Sequence, residues 1–172
     1  MTLRMNKKVL LPISLLAMTS ASIFASNATY QATITSYTEP TLAPTTALDF
    51  GKILPTAGSV CTMDNAGAVT GQCDAAGTAT LGVVTLSGMT KNAAMNLTVT
   101  GSTTGPLTFV ATSTATGGTA PVTTANGTPS ALTVDATGSD VVVDVYGQMT
   151  ADSQLTSGTA YQVDYTVAID FQ

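Results

Sequence analysis

Residues 161–172, YQVDYTVAIDFQ, alternate in polarity from one position to the next. Polar or small residues occupy the even-numbered positions. Successive side chains of a β-strand point to opposite faces, so this pattern predicts a strand over 161–171 with one buried face. We expect that face to build the core or to line a groove. Its six apolar or aromatic residues are Tyr161, Val163, Tyr165, Val167, Ile169 and Phe171.

A second alternating stretch, ATYQATITS at residues 28–36, is called here the N-terminal alternating segment. Tyr30, Ala32 and Ile34 fall on one face, and Thr and Gln side chains fall on the other. The pattern again predicts a strand. The next stretch, TEPTLAPTT at 38–46, contains two prolines and predicts an extended linker or an edge segment, because proline cannot donate to a strand ladder.

Further short runs of apolar and β-branched residues follow, separated by Gly, Pro and Asn. About eight or nine short strands and no significant helix predict an all-β fold, and the spacing favours an immunoglobulin-like β-sandwich over a closed barrel. We expect residues 29–46 to form an N-terminal strand plus linker, and residues 47–172 to form the sandwich. In the run at 78–88, Gly82 predicts a bulge or a close approach.

The first 28 residues have the features of a secretory signal peptide. Three basic residues precede the apolar run VLLPISLLAM (9–18), which is too short to cross a bilayer. Small residues follow it, so we expect cleavage after Ala25 or Ala28. The pattern predicts an exported protein that passes through the periplasm.

The charge that remains after signal removal disfavours two classes of partner. Only Lys52 and Lys91 would stand against ten acidic residues, giving a net charge of −8. Nucleic acid and anionic lipid are poor partners for such a surface. No second apolar run is long enough to span a membrane, so we expect no membrane span in the mature chain.

Cys61 and Cys73 are the two cysteines of the chain. In an exported protein such a pair predicts a disulfide. The sequence between them contains the turn signal Asp64-Asn65-Ala66-Gly67, so the bridge would staple a hairpin and contribute about 2–3 kcal/mol. A two-cysteine metal site is the rival interpretation, which the absence of histidine disfavours.

The residues needed for catalysis are scarce. The chain has no histidine, which is the commonest general base, and no Gly-x-Ser-x-Gly motif. We therefore expect no enzyme activity, no catalytic residue, no cofactor and no metal. Four acidic residues could in principle supply oxygen ligands for calcium, but their strand positions favour solvated sheet faces. They are Asp140, Asp144, Asp164 and Asp170.

Three stretches carry a family resemblance. They are ALDFGKILPTAGSV (47–60), the strand Asp140–Met149, and LTSGTAYQVDYTVAIDF (155–171). Together they make the chain similar to the bacterial exported domain-of-unknown-function family 4402. The two alternating ends and the penultimate Phe171 also resemble pilin-like surface-fibre subunits that assemble by donor-strand complementation. Gly158 lies one position away from the glycine of that pattern.

The resemblance implies an immunoglobulin-like sandwich, a cell-surface role and no catalytic residues. It leads us to expect a subunit of an extracellular fibre (a pilus or fimbria), in which Tyr30, Ala32 and Ile34 enter the sheet of the next copy. Partners would then be copies of the chain itself, a periplasmic chaperone and an outer-membrane usher. A monomeric surface or matrix module and a ligand-binding adhesin are the alternatives.

Overall fold

A computed structural model describes residues 31, 33, 34, 36, 39–74 and 78–172. The predicted signal peptide, Tyr30 and Ala32 lie outside these residues. The described part contains β-strands and no helix, which confirms the predicted all-β class. One compact unit extends over Thr35–Gln172.

Eleven strands make up this unit, more than the sequence predicts, because several are only two to four residues long. They are β1 (Thr41–Thr46), β2 (Val60–Met63), β3 (Val69–Gly71), β4 (Gly82–Ser87), β5 (Ala94–Gly101), β6 (Thr103–Thr104), β7 (Leu107–Thr116), β8 (Val122–Ala125), β9 (Ser130–Thr133), β10 (Val141–Ala151) and β11 (Tyr165–Phe171).

Strand β10 is the centre of an eight-stranded, antiparallel sheet. Strand β7 pairs with it from Val142 to Ala151. Two strands share the other edge of β10: β4 pairs with the first half of β10, and β2 pairs with the second half. Strands β1 and β3 extend this sheet beyond β4 and β2, and β6 and β8 pair with β7.

Gly147 marks the point where β10 changes partner from β4 to β2. Its φ of 135° lies in the region that favours glycine. A Cβ at this position would lie 2.2 Å from the Val110 carbonyl oxygen of β7. The large sheet therefore needs a glycine at this position of β10, because β7 approaches closely on one side while the partner on the other side changes from β4 to β2.

A three-stranded sheet, in the order β11-β5-β9, faces the large one. Strand β11 runs antiparallel to β5 with Tyr165 opposite Gly101 and Phe171 opposite Met95. The Gln172 amide continues this pairing by donating to the Ala94 carbonyl at 3.2 Å.

The core lies between the two sheets, as in a β-sandwich. Strands β4, β5, β7 and β10 alternate buried with less buried residues, so each contributes one face. Burying such faces drives the two sheets together. The largest buried side chains include Leu86, Met95, Leu97, Val99, Phe109, Leu132, Val143 and Val145.

The disulfide-stapled hairpin is confirmed. Strands β2 and β3 pair in antiparallel register, and the Cys61–Cys73 bridge joins Cα atoms 5.2 Å apart. Asp64 closes the turn, because its carboxylate accepts from the amides of Ala66 and Ala68 at 2.9 Å each.

Several element boundaries differ from the predictions. The apolar run ALDFGKIL (47–54) predicts a strand, but in the structure it forms isolated bridges at Asp49 and Ile53, with Gly51 between them at a φ of 72°. Of the two outcomes predicted for 38–46, the 41–46 part forms the edge segment, because β1 pairs with β4 in the large sheet. The last strand begins at Tyr165 rather than 161, since residues 161–164 have no ladder partner among the described residues.

Candidate functional site

A concave feature of about 990 Å³ in the described part of the chain is lined mainly by apolar residues, and we call it the groove. Residues 46–53 and residues 155–165 line it along its length. Leu107, Phe109 and Met149, from strands β7 and β10 of the large sheet, also line it, as do Pro44 and Pro55.

Backbone hydrogen bonds to Thr80 and Gln72 hold the 46–55 stretch in place. Asp49 and Thr80 exchange two backbone hydrogen bonds at 2.9 and 2.8 Å. The Leu54 amide donates to the Gln72 carbonyl at 3.0 Å, beside the disulfide of Cys73. Between these points, the Gly51 amide donates to the Asp49 carboxylate at 2.7 Å. The disulfide hairpin thus supports one wall of the groove.

The other wall begins with a loop tied to the first. The Leu155 amide donates to the Pro55 carbonyl at 2.8 Å, and a turn closes where the Thr159 amide donates to the Thr156 carbonyl at 3.2 Å. The Tyr161 hydroxyl accepts from the Thr156 amide at 2.9 Å. Hydrogen bonding to Thr156, through its side chain and then its backbone, lowers the pKa of Tyr161.

One end of the groove is aromatic. Phe109 contacts Phe50 edge-on with ring centroids 5.6 Å apart, and it contacts Tyr165 edge-on at 6.1 Å. Such edge-to-face pairs are attractive because the ring edge is positive and the ring face negative. Partial burial raises the pKa of Tyr165. These three rings, Phe50, Phe109 and Tyr165, are called here the aromatic end.

Gly82 makes room for this arrangement. A Cβ at Gly82 would lie 2.9 Å from the Tyr165 hydroxyl oxygen and 3.0 Å from the Leu48 Cβ. Gly82 therefore marks a close approach, which is one of the two outcomes that the sequence predicts for it. The missing side chain lets the Tyr165 hydroxyl reach toward the large sheet.

The opposite end of the groove is mainly aliphatic. Leu107, Ala151 and Leu155 form a small buried cluster of their own, against which Ile53, Met149, Tyr161 and Val163 pack. We call Ile53, Leu107 and Leu155 the aliphatic end. The groove thus differs chemically between its two ends.

The groove runs beside an unpaired stretch of backbone. Strand β11 pairs with β5 alone among the described residues. Before it, the backbone of residues 161–163 makes no hydrogen bond to the backbone of any other described residue. The Asp164 carbonyl accepts from the Ser102 hydroxyl at 2.7 Å. Unpaired N–H and C=O groups at a sheet edge form a template for another strand.

The structure divides the six predicted core or groove residues of 161–171 between two places. Tyr161, Val163 and Tyr165 line the groove. Val167 and Ile169 are half-buried against the main core, and Phe171 is 40% exposed. None of the six is fully buried. Tyr161 and Val163 precede β11, and β11 is an edge strand in the described part of the chain.

Three residues are predicted to form one face of the N-terminal alternating segment. Ile34 is the one that the structure describes, and its side chain is 95% exposed. Gln31, Thr33 and Ser36 are also exposed, and none of these four residues lies in a strand. Tyr30 and Ala32 lie outside the described residues.

Sequence reasoning missed the other lining residues. Phe50, Leu107, Phe109 and Met149 read as ordinary strand residues, and they meet only through long-range packing. The Asp49-Phe50-Gly51 turn is the one local signal that could have drawn attention to this wall.

The described residues contain no group of three or more His, Cys, Asp or Glu side chains placed to hold a metal. Asp144 lies in β10 and Asp170 in β11, on different sheets. Across the same residues there is no helix of the length and apolarity that a bilayer crossing needs.

Comparison of the chain with family models, with curated proteins and with solved structures found no match.

Proposed function

We propose that the protein is a structural subunit of an extracellular fibre, in which the N-terminal alternating segment of one copy adds as a strand to the groove of the next. One observation carries this proposal: a largely apolar groove runs beside an unpaired backbone edge, while the described apolar residue of the segment, Ile34, is 95% exposed.

The groove suits an extended peptide better than a small polar ligand. Its side-chain lining is mostly apolar at both ends, and its volume of about 990 Å³ is near the top of the range, roughly 300–1,000 Å³, of small-molecule pockets. Strand addition gains affinity from main-chain hydrogen bonds and specificity from pockets for alternate side chains. The unpaired backbone of residues 161–163 offers the main-chain hydrogen bonds, and the groove beside it offers the side-chain pockets.

The segment supplies a matching ligand. Tyr30, Ala32 and Ile34 recur at every second position, as an added strand requires. Gln31, Thr33 and Ile34 are exposed, so their side chains are available to another molecule. An exposed isoleucine gains about 1.5–3 kcal/mol on full burial.

Donation from each copy to the next is a head-to-tail contact, which does not close on itself and therefore builds a filament. Before assembly, the groove would need temporary cover because an exposed apolar edge aggregates. A periplasmic chaperone strand and an outer-membrane usher would provide cover and delivery, at the cell surface of a bacterium that exports the chain.

Substitution of one face of the segment tests this proposal. Ile34→Asp should abolish the ladder of polymers that resists SDS without boiling, as well as the fibres seen by negative-stain microscopy, because it places a charge in an apolar pocket. Thr35→Asp, on the opposite face, is the matched control and should leave the ladder intact.

Two outcomes would contradict the proposal. A wild-type protein that runs as a monomer before and after boiling would support the surface-module alternative. Fibres that persist in the Ile34→Asp variant would show that another surface joins the copies.

A further inference from the structure

We infer that Ser113 and Thr124 hold an internal water molecule between strands β7 and β8, inside the core of the sandwich. Both side chains are fully buried, and neither hydroxyl has a hydrogen-bond partner among the described residues. Neither residue lines the groove, so this water site does not depend on the proposed function.

Strand β7 carries a polar residue where its alternating pattern calls for an apolar one. Buried and less buried residues alternate along it, and Ser113 belongs to the same buried row as Phe109. Side chains two positions apart in a strand point to the same face, so the Ser113 hydroxyl points into the core. Strand β8 repeats this feature, because Thr124 is the buried one of its four residues.

The strand register places the two hydroxyls opposite each other. Ser113 pairs with Thr124 in the antiparallel ladder of β7 and β8. Facing residues of such a ladder have Cβ atoms about 4.5–5.5 Å apart. Two hydroxyl oxygens that each bond the same water at about 2.8 Å lie about 4.5 Å from each other. The two described hydroxyls do not bond each other directly, and their facing positions suit a bridge through one water.

The side chains around the pair are small or apolar. Ala111 and Ala115 flank Ser113 in the buried row of β7, and both are at most 1% exposed. On the other side of β7, Val145 of β10 lies opposite Ser113, and Gly147 lies opposite Ala111. The short side chains favour space for one water, which takes up about 30 Å³ in the liquid. The valine offers neither hydroxyl a hydrogen bond.

A bridging water removes the cost of burying these two groups. A hydroxyl that enters the core unpaired loses its hydrogen bonds to solvent without replacement, which destabilises the folded state. Internal waters typically make about two to four hydrogen bonds to buried polar groups of this kind. A hydroxyl can donate and accept, so Ser113 can donate to the water while the water donates to Thr124.

A double-variant cycle on the full chain tests the water site, with Ser113→Ala and Thr124→Val as the single changes. Each single variant leaves the other hydroxyl and the water with one partner fewer, so its folding equilibrium constant should fall by about tenfold. The double variant replaces both partners by apolar groups of similar shape and should recover most of this loss. Thr123→Val, at an exposed position of β8, is the matched control and should change the constant by no more than about twofold.

A high-resolution crystal structure of the full chain gives the direct readout. We expect electron density for a water at about 2.5–3.0 Å from both hydroxyl oxygens, and no such density in the double variant. A direct bond between the two hydroxyls, or a water on one of them alone, would overturn the inference. So would single variants at least as stable as the wild type, or losses that simply add in the double variant, because the two hydroxyls would then act independently.

Discussion

At the scale of single residues, Gly82 and Tyr165 depend on each other. The Tyr165 hydroxyl occupies the space that any side chain at position 82 would need, with 2.9 Å between that oxygen and a Cβ built there. Leu48, a groove residue, is the second obstacle at 3.0 Å. Substitution of this glycine therefore acts on the groove wall as well as on β4.

We predict that Gly82→Ala lowers the free energy of unfolding by about 1–3 kcal/mol, the usual cost of overpacking. Tyr165→Phe removes the obstructing hydroxyl and should restore part of this loss in the double variant. Chemical denaturation of the wild type, the two single variants and the double variant gives the coupling energy between positions 82 and 165. Purely additive effects would show that the hydroxyl is not the obstacle and that Leu48 alone resists the new methyl group.

Asp135 is the residue whose ionisation the fold perturbs most clearly. Its carboxylate accepts from the Thr137 hydroxyl at 2.8 Å, and from the amides of Ser139, Gly138 and Thr137. The Thr137 side chain is the largest cause, and together these bonds lower the pKa of Asp135 to about 2. An anion that accepts several hydrogen bonds is stabilised over its protonated form.

The sign of the pH dependence follows. Because the folded pKa is depressed below 3.8, the contribution of Asp135 to stability is present above pH 3.8 and is lost as the pH falls through about 2. We expect a carboxyl NMR titration midpoint near 2, shifted toward 3.8 by Thr137→Ala. As the pH falls from 3.8 to about 2, the Asp135→Asn variant should lose less stability than the wild type. A wild-type midpoint near 3.8 would contradict the hydrogen-bond arrangement.

At the scale of elements, the disulfide hairpin does more than close a loop. Cys73 lies at the bridge to Ile53. Beside it, the Leu54 amide donates to the Gln72 carbonyl at 3.0 Å, and the Asp74 amide donates to the Lys52 carbonyl at 2.8 Å. The chain from 52 to 54 is thereby attached to β2 through the Cys61–Cys73 bond.

Removal of the bridge should therefore have a global and a local effect. The Cys61→Ala/Cys73→Ala double variant should lose about 3 kcal/mol of unfolding free energy, the value that loop entropy gives for a loop this short. Hydrogen exchange should accelerate more at the Leu54 amide than at Leu97 in β5. Equal acceleration at both sites would show that the bridge stabilises the domain without positioning the groove wall.

The elements that the sequence predicts correctly are those with local causes. The stapled hairpin follows from two nearby cysteines and an Asp-containing turn, and β5, β7 and β10 follow from alternation over buried faces. The edge strand β1 has no apolar alternation, and all six of its residues are exposed, so the sequence leaves linker and edge segment as alternatives and the pairing with β4 decides between them. Likewise, no local pattern shows that Phe50, Phe109 and Tyr165 meet.

At the scale of the whole molecule, apolar residues recur both in the groove lining and on one face of the alternating segment. The wall of the groove that begins at the Leu155–Pro55 hydrogen bond extends to Tyr165, and Ile34 is 95% exposed. Binding of such a segment would extend the small sheet beyond β11 and cover the aromatic end. Any ligand that binds the folded state alone raises its stability by mass action.

A peptide of residues 29–36 should therefore stabilise the folded chain. The acceptor is the full-length Ile34→Asp variant, whose own segment is impaired as a donor. At a peptide concentration of 100 times Kd, the gain is about 2.7 kcal/mol, and each kcal/mol raises Tm by about 2–4 °C in a domain somewhat larger than this one. The same peptide carrying Ile34→Asp is the matched control and should leave Tm unchanged, because its aspartate would be desolvated in a mainly apolar groove. Equal shifts from both peptides would indicate unspecific binding, and no shift from either would indicate that the groove does not accept this segment.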